Sequence, residues 1–280
     1  MSVQMPTTLR DALTLIAADP AARLIAGGTD TMVEVNFNRF KPHNVIGLCK
    51  VKELRSVNIS DNEAVIGAGV PWATIERGEL ADFAPALAAA ARTVGSPQIR
   101  AAGTLGGNLG TCSPAGDGLP VLAALEATIT LASLQGERDV PFAEFMTGVK
   151  RNSRRPDEII ASVRIPRVTG FQDYAKVGVR NAMVISVAGV CLVHDTKRAS
   201  IRVALGSVGP QIIRATEAEA WLAARADLSR RLPDDPTLAD EFAQMVAAAA
   251  RPISDHRSTA DYRRHAVNVL TRRLFTRGTR

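Results

Sequence analysis

The spacing of apolar residues in the first part of the chain predicts short helices mixed with short strands. Residues 7–18, 79–94 and 119–127 place apolar side chains at helical spacing, and Pro85 marks a start or a kink within the second of these segments. Short apolar runs bounded by glycine or polar residues predict strands at 23–26, 44–48, 64–68, 127–133, 137–145 and 158–165.

The pattern changes near residues 166–172, where mixed elements give way to strands followed by helices. Three strands and then three helices are predicted there: 171–179, 184–194 and 199–208, followed by 214–226, 238–250 and 259–276. A run of strands followed by a run of helices is typical of an α+β domain. We therefore place a domain boundary near residue 168, which divides the chain into 1–168 and 169–280.

Length and cysteine content restrict the class of protein. A chain of 280 residues is long enough for one large or two modest domains. Its three cysteines, Cys49, Cys112 and Cys191, are too few for a disulfide framework or for a four-cysteine iron–sulfur cluster held by this chain alone. No apolar run reaches the ~18 residues of a membrane span, and the first residues lack a signal-peptide pattern. We therefore expect no membrane span and a cytoplasmic location.

The net charge of +6 comes from the last thirty residues. Residues 251–280 contain eight arginines, two aspartates and no lysine or glutamate, whereas the rest of the chain is neutral. A basic tail can bind nucleic acid or an acidic partner. No aromatic stacking motif accompanies these arginines, so we expect no nucleic-acid partner. A solvated helix face, docked on another subunit, is the interpretation that we retain.

Two glycine-rich segments carry the strongest chemical signal. The first, Ala26 to Asp30 (AGGTD), follows a predicted strand, and its glycines let backbone N–H groups approach an anion. The second, residues 103–118, adds polar groups at Thr104, Asn108 and Asp117. Bare N–H groups and hydroxyls suit a pyrophosphate, and a carboxylate can accept hydrogen bonds from a sugar. Two purely structural loops are the alternative.

Standard nucleotide and catalytic motifs are absent from the sequence. There is no P-loop, and the run 67–69 (GAG) lacks the third glycine of a dinucleotide fingerprint. The histidines do not have metal-ligand spacing. We expect His194 and Asp195 to form a surface pair, and Cys112 to be a small buried side chain. A bound organic cofactor is therefore the natural carrier of any reaction.

Both glycine-rich segments, in this order, resemble the flavin loops of the medium subunits of the molybdenum hydroxylases, the xanthine dehydrogenase and carbon monoxide dehydrogenase family. Residues 26–30 are similar to the family's first loop, AGG followed by Thr or His and then Asp, Asn or Ser. Residues 104–117 are similar to its second loop, TIGGN or TLGGN followed by SP and an aspartate. Near the end of the chain, residues 252–263 are similar to a P-x-x-D-x-R…YR segment.

This resemblance covers nearly the whole chain and implies both a fold and a set of cofactor contacts. Residues 1–168 would form an α+β FAD-binding domain of the PCMH/VAO type with two lobes. Residues 169–280 would form a small domain with a three-stranded antiparallel sheet and a helical bundle. The residues that would contact FAD are Leu24, Ile25, Ala26, Gly27, Gly28, Thr29, Asp30 and Thr31 around the pyrophosphate, Thr104, Gly106, Gly107 and Asn108 as a second phosphate clamp, Asp117 on cofactor hydroxyls, and Ile160 and Lys176 near the flavin.

By the same resemblance, the chain would be the FAD-carrying electron-transfer subunit of a molybdenum hydroxylase, with no catalytic or metal-ligating residue of its own. Its partners would be a small subunit with two 2Fe-2S clusters and a large subunit with a molybdopterin cofactor, in a dimer of heterotrimers. Electrons would pass from the clusters through FAD to NAD, a quinone or oxygen. The alternatives are a stand-alone PCMH-type flavin oxidoreductase and a non-enzymatic binding module with a basic tail.

Overall fold

A computed structural model describes residues 2–39, 41 and 43–280 and gives the bounds of the helices and strands. The strands are β1 Ser2–Gln4, β2 Arg23–Ile25, β3 Asn44–Gly47, β4 Val57–Ile59, β5 Glu63–Gly67, β6 Thr128–Ser133, β7 Gly136–Pro141, β8 Met146–Gly148, β9 Arg151–Asn152, β10 Ile159–Pro166, β11 Gly170–Val177, β12 Ala188–Asp195, β13 Ser200–Gly206 and β14 Ile213–Arg214. The helices are α1 Leu9–Ala18, α2 Thr31–Asn36, α3 Trp72–Ile75, α4 Gly78–Phe83, α5 Pro85–Thr93, α6 Pro97–Ala102, α7 Leu105–Thr111, α8 Gly118–Ala124, α9 Phe142–Phe145, α10 Thr216–Ala223, α11 Pro236–Ala249 and α12 Ala260–Gly278.

Within the described residues, the amino-terminal part contains two larger sheets and a short two-stranded sheet of β8 and β9. The first is parallel, in the order β1-β3-β2, and the second is antiparallel, in the order β4-β5-β10-β6-β7. Helix α1 begins at the N-cap Thr8, whose hydroxyl accepts a hydrogen bond from the N–H of Asp11 at 3.1 Å. Its apolar face buries Ala12 and Ile16 against the parallel sheet and β10. Helices α3, α5, α7 and α8 pack against the antiparallel sheet in a separate core.

The carboxy-terminal part places one antiparallel sheet between two cores. The three expected strands are present as β11, β12 and β13, and a two-residue fourth strand, β14, joins the edge of β13. Along β12, Val190 and Leu192 face the core formed with helices α10 to α12, whereas Cys191 and Val193 face the amino-terminal core. Since alternate side chains point to opposite faces, both faces of this sheet are buried.

The expected helix start or kink at Pro85 is confirmed as a start, which divides 79–94 into α4 and α5, because Pro85 lacks the N–H that a continuing helix requires. Two other expectations about elements need correction. The strand expected over 137–145 ends at Pro141, and residues 142–145 form helix α9. The sheet expected to have three strands has four, since Ile213–Arg214 is too short to show a pattern.

The expectation that His194 and Asp195 form a surface pair is wrong, because both side chains are buried. The imidazole Nε2 of His194 lies 2.9 Å from the carbonyl oxygen of Leu228, and Asp195 faces the guanidinium of Arg202 at 3.7 Å. Burial lowers the pKa of His194. Cys112, by contrast, is buried as expected. Among the helices of the described residues, none is long and apolar enough to span a membrane.

Candidate functional site

A cavity of about 690 Å³ lies where the two glycine-rich segments meet. Of the fifteen residues predicted to contact a cofactor, fourteen line it: Leu24, Ile25, Ala26, Gly27, Gly28, Thr29, Asp30, Thr31, Thr104, Gly106, Gly107, Asn108, Asp117 and Ile160. The fifteenth, Lys176, does not line the cavity and instead forms an ion pair with Asp117. The structure therefore brings together segments that are about 80 to 130 residues apart in the sequence.

The first glycine-rich segment presents unpaired donors to the cavity. Strand β2 ends at Ile25, and the chain then turns through Gly28, whose φ of 72° lies in the left-handed region that glycine tolerates. Within the described residues, the five backbone N–H groups from Gly27 to Thr31 have no hydrogen-bond partner. Successive N–H groups without partners form a concave site for an anion.

Gly27 has a different role, because its lack of a side chain allows the two segments to come into contact. A Cβ atom built on Gly27 would lie 1.8 Å from the carbonyl oxygen of Ala102, at the end of helix α6. Only a residue without a side chain fits there. A second link joins the segments on the open side, where the hydroxyl of Thr111 donates to Oδ2 of Asp30 at 3.2 Å.

The second glycine-rich segment is largely helical, which its glycine content did not predict. The N-cap of α7 is Thr104, whose hydroxyl accepts a hydrogen bond from the N–H of Gly107 at 3.0 Å. The N–H of Gly106 donates to Ala68 and that of Asn108 to Thr104. The bare N–H groups expected here are therefore already paired.

What the second segment offers instead is space and one unpaired acceptor. A Cβ atom on Gly107 would meet only the hydroxyl oxygen of Thr104, at 3.1 Å, so the glycine leaves the cavity open. The side-chain Oδ1 of Asn108 is buried and, within the described residues, has no hydrogen-bond partner. A buried acceptor without a donor is costly, and a ligand that donates a hydrogen bond would remove that cost.

Asp117 is the hub of a buried hydrogen-bond network at the wall of the cavity. Its Oδ1 accepts from the hydroxyl of Tyr174 at 3.0 Å, and its Oδ2 accepts from Nζ of Lys176 at 2.6 Å and from the hydroxyl of Thr93 at 3.2 Å. Lys176 also donates to the carbonyl oxygen of Val184 at 3.1 Å. Burial raises the pKa of Asp117, and the neighbouring ammonium of Lys176 opposes that rise.

Several cavity residues escaped the sequence analysis. Trp72, Arg154 and residues 183–185 line the cavity, and no motif marks them. The guanidinium of Arg154 donates to the carbonyl oxygen of Glu158 at 2.6 Å, just before β10 enters the sheet. Val94 contributes an aliphatic part of the wall. These contacts depend on tertiary packing and leave no local signal.

The free donors of the first segment, the open face at Gly107 and the unpaired Oδ1 of Asn108 fit a ligand with a diphosphate and hydrogen-bond donors. FAD carries both kinds of group. The chemistry of this cavity therefore agrees with the cofactor that the resemblance implies.

Comparisons with known proteins agree with this assignment. Residues 1–168 match the family model described as the FAD binding domain in molybdopterin dehydrogenase, and residues 173–277 match the CO dehydrogenase flavoprotein C-terminal domain. The glyceraldehyde dehydrogenase medium chain of Sulfolobus acidocaldarius is 30% identical over 272 residues, which cover 96% of this chain and 94% of that protein. The nicotine 6-hydroxylase medium subunit of Paenarthrobacter nicotinovorans is 31% identical over 273 residues, with the same coverage of 96% and 94%.

A solved structure shows the same architecture. In the carbon monoxide dehydrogenase of Hydrogenophaga pseudoflava, one chain superposes with a TM-score of 0.87 at 26% identity and covers 98% of this chain and 95% of its own length. The two family models together cover the glycine-rich segments that form the cavity and the carboxy-terminal tail. The chain belongs to the family of FAD-binding medium subunits of the molybdenum hydroxylases, of the xanthine dehydrogenase and carbon monoxide dehydrogenase type.

Proposed function

We propose that this chain is the FAD-carrying electron-transfer subunit of a molybdenum hydroxylase. One observation carries the proposal: a single cavity gathers fourteen of the predicted contact residues around five unpaired backbone N–H groups. When bound, FAD supplies redox chemistry that accepts electrons from one-electron carriers and delivers them singly or in pairs. The protein supplies binding, orientation and electrostatics.

Each wall of the cavity has a separate task in this proposal. The N–H groups of residues 27–31 hold the diphosphate, and Gly107 leaves room for it. Oδ1 of Asn108 accepts a hydrogen bond from the cofactor. Asp117, already oriented by Lys176, accepts from cofactor hydroxyls through its remaining lone pairs. Ile160 contributes an apolar contact on the flavin side.

The partners follow from the family. Both relatives are named as the medium component of a larger enzyme. We propose a small subunit with 2Fe-2S clusters as electron donor, a large subunit with molybdopterin as the place of substrate oxidation, and a dimer of heterotrimers. We also propose a cytoplasmic location. The division into 1–168 and 169–280 is supported by the two family models, whose matches meet between residues 168 and 173.

Co-expression with the two partner subunits tests this role. The purified complex should contain all three chains and FAD, and a substrate of the large subunit should bleach the flavin absorbance under anaerobic conditions. A complex assembled without this chain should still reduce its clusters but should lose transfer to the external acceptor. Unchanged transfer to that acceptor without this chain would contradict the role.

A further inference from the structure

The carboxy-terminal motif, residues 252–263, contains a buried arginine that has no role in the proposed function. Arg263 lies in the first turn of helix α12 and is only 4% exposed. An arginine at that end opposes the helix dipole, whose positive pole is the N-terminus, and its burial removes it from water. Contacts from outside the helix must offset both costs.

The guanidinium of Arg263 makes three such contacts. Its Nη2 donates to Oδ1 of Asp255 at 2.7 Å, and its Nη1 donates to the carbonyl oxygens of Val187 and Ser207, each at 2.8 Å. A single nitrogen thus joins the residue just before β12 to the residue just after β13.

The turn that precedes helix α12 orients the carboxylate of Asp255. Its Oδ1 also accepts from the N–H groups of Arg257 at 2.9 Å and Ser258 at 3.2 Å. The hydrogen bond from Arg257, with those from Arg263 and Ser258, lowers the pKa of Asp255. The carboxylate therefore stays ionised and fixed in orientation, and it holds the guanidinium in one position.

Both carbonyl groups belong to residues that are connected to the lining of the flavin cavity. Val187 closes the segment 178–187, since its N–H donates to Val177 at 2.8 Å, and residues 183–185 of that segment line the cavity. Ser207 adopts a left-handed φ of 64°, and its N–H donates to the carbonyl oxygen of Pro114 at 2.8 Å, within the second glycine-rich segment. Arg263 therefore connects the bases of two parts of the cavity wall.

We propose that Arg263, oriented by Asp255, is a positioning residue that fixes the wall at 183–185 relative to the wall at 113–117. The inference rests on the proposed function, because the cavity between these walls is the FAD site. A lysine cannot replace the arginine here. It is a point charge without the planar fork that reaches a carboxylate and two carbonyls together.

The test uses the full-length chain with Arg263→Lys and Asp255→Asn, and Arg264→Lys as the matched control. Arg264 is the next residue of the same helix and is half exposed, and among the described residues it pairs only with Asp261, in its own turn. For each protein we would measure the Kd for FAD at 10 °C, the visible circular dichroism of the bound flavin at saturating FAD, and the Tm of the cofactor-free chain.

We expect Arg263→Lys and Asp255→Asn to raise the Kd for FAD about tenfold and to change the flavin circular dichroism, with Arg264→Lys indistinguishable from the unaltered chain. If both variants change only the Tm, while their Kd and dichroism stay unchanged, the inference fails and the proposed function stands. If Arg263→Lys does not fold, Asp255→Asn decides alone. If the unaltered chain binds no FAD, either alone or when purified together with its partner subunits, the proposed function fails and takes this inference with it.

Discussion

At the scale of single residues, glycine is required in the two flavin segments for three different physical reasons. Gly27 is required by the backbone of Ala102, Gly28 by its positive φ, and Gly107 by the open space that it leaves in the cavity. The sequence motif treats them alike, because a pattern of letters cannot distinguish a packing contact from a ligand contact. Substitutions at these positions should therefore separate loss of fold from loss of cofactor.

Gly107→Val should empty the FAD site without unfolding the chain. Valine has a higher helix propensity than glycine, which offsets the tight contact of 3.1 Å that its Cβ would make with the hydroxyl of Thr104, and its branched side chain occupies the space that the diphosphate needs. We expect the Kd for FAD to rise at least ~tenfold, about 1.4 kcal/mol, with little change in Tm. Ala101→Val, on exposed α6 outside the cavity lining, is the control. A fully yellow Gly107→Val protein would contradict the assignment.

The three cysteines should differ sharply in reactivity, because Cys49 is exposed and Cys112 and Cys191 are buried. A thiol reagent at pH 8 should modify one cysteine in the native chain and all three in denaturant. Modification of Cys112 in the native chain would contradict the burial that the structure gives it.

Stability at alkaline pH should report on Cys112. Burial raises the pKa of this thiol from 9.0 to about 11. The neutral buried thiol contributes fully to the free energy of unfolding below pH 9, where the thiol is neutral in both the folded and the unfolded chain. This contribution is lost as the pH rises toward 11, because only the unfolded thiol ionises in that range. The free energy of unfolding should fall by roughly 2–3 kcal/mol more in the unaltered chain than in Cys112→Ala over this interval. Equal pH dependence of the two proteins would be the contrary result.

At the scale of elements, the long apolar runs could be predicted from the sequence and the glycine-rich ones could not. Strand β10 and helices α11 and α12 have the expected type, since many residues contribute to their periodicity. Helix α7 forms despite its glycines, because the hydroxyl of Thr104 caps it and Leu105 and Leu109 are buried in the core. Tertiary packing overrides propensity there. The same packing brings residues 183–185 to the cavity, which no local pattern indicates.

Helix α12 also divides the arginines of the basic tail into two groups. Arg263 is buried and serves the interior, so our expectation of a single solvated face is wrong for this residue. Arg264, Arg272 and Arg273 are exposed, although Arg264 and Arg272 also form ion pairs with Asp261 and Asp240. For the exposed arginines, we retain the hypothesis that they form a docking face for another subunit.

Reversing the exposed arginines of this helix tests that hypothesis. Arg264→Glu, Arg272→Glu and Arg273→Glu together should leave the fold intact, because exposed ion pairs contribute at most about 1 kcal/mol each. They should strongly reduce co-purification of the partner subunits. Charge reversal at Arg230 and Arg231, exposed and outside the helix, is the control. Co-purification that is unchanged in the triple variant would exclude this face as the docking surface.

At the scale of the whole molecule, buried polar contacts join the amino-terminal and carboxy-terminal parts beside the cavity. Asp117, just before α8, pairs with Lys176 of β11, and both side chains are more than nine-tenths buried. Away from the cavity, the half-exposed Glu126 accepts a hydrogen bond from Arg202 at 3.1 Å across the same boundary. A pair buried this deeply is costly to break from one side, because the remaining charge has neither water nor a partner. A change at Asp117 in the cavity wall therefore also changes the stability of the contact between the amino-terminal and carboxy-terminal parts.

Asp117→Ala should lower the free energy of unfolding by roughly 3–5 kcal/mol, because it leaves the ammonium of Lys176 buried and unpaired. Adding Lys176→Met should recover part of that loss, so the double variant is more stable than the sum of the single effects. Urea unfolding of the four proteins measures the coupling. Asp240→Ala, which breaks an exposed pair with Arg272, should cost less than about 1 kcal/mol. Additive effects at Asp117 and Lys176 would show that the pair is not coupled.

We propose that this chain holds FAD between its two glycine-rich segments. The most direct test is the absorption spectrum of the full-length chain after incubation with FAD and removal of free cofactor, with the released compound identified by chromatography. We expect the two visible bands of a bound flavin and near-stoichiometric release of FAD, with no FMN. A folded but colourless chain, which also stays colourless when it is purified together with its partner subunits, would contradict the account.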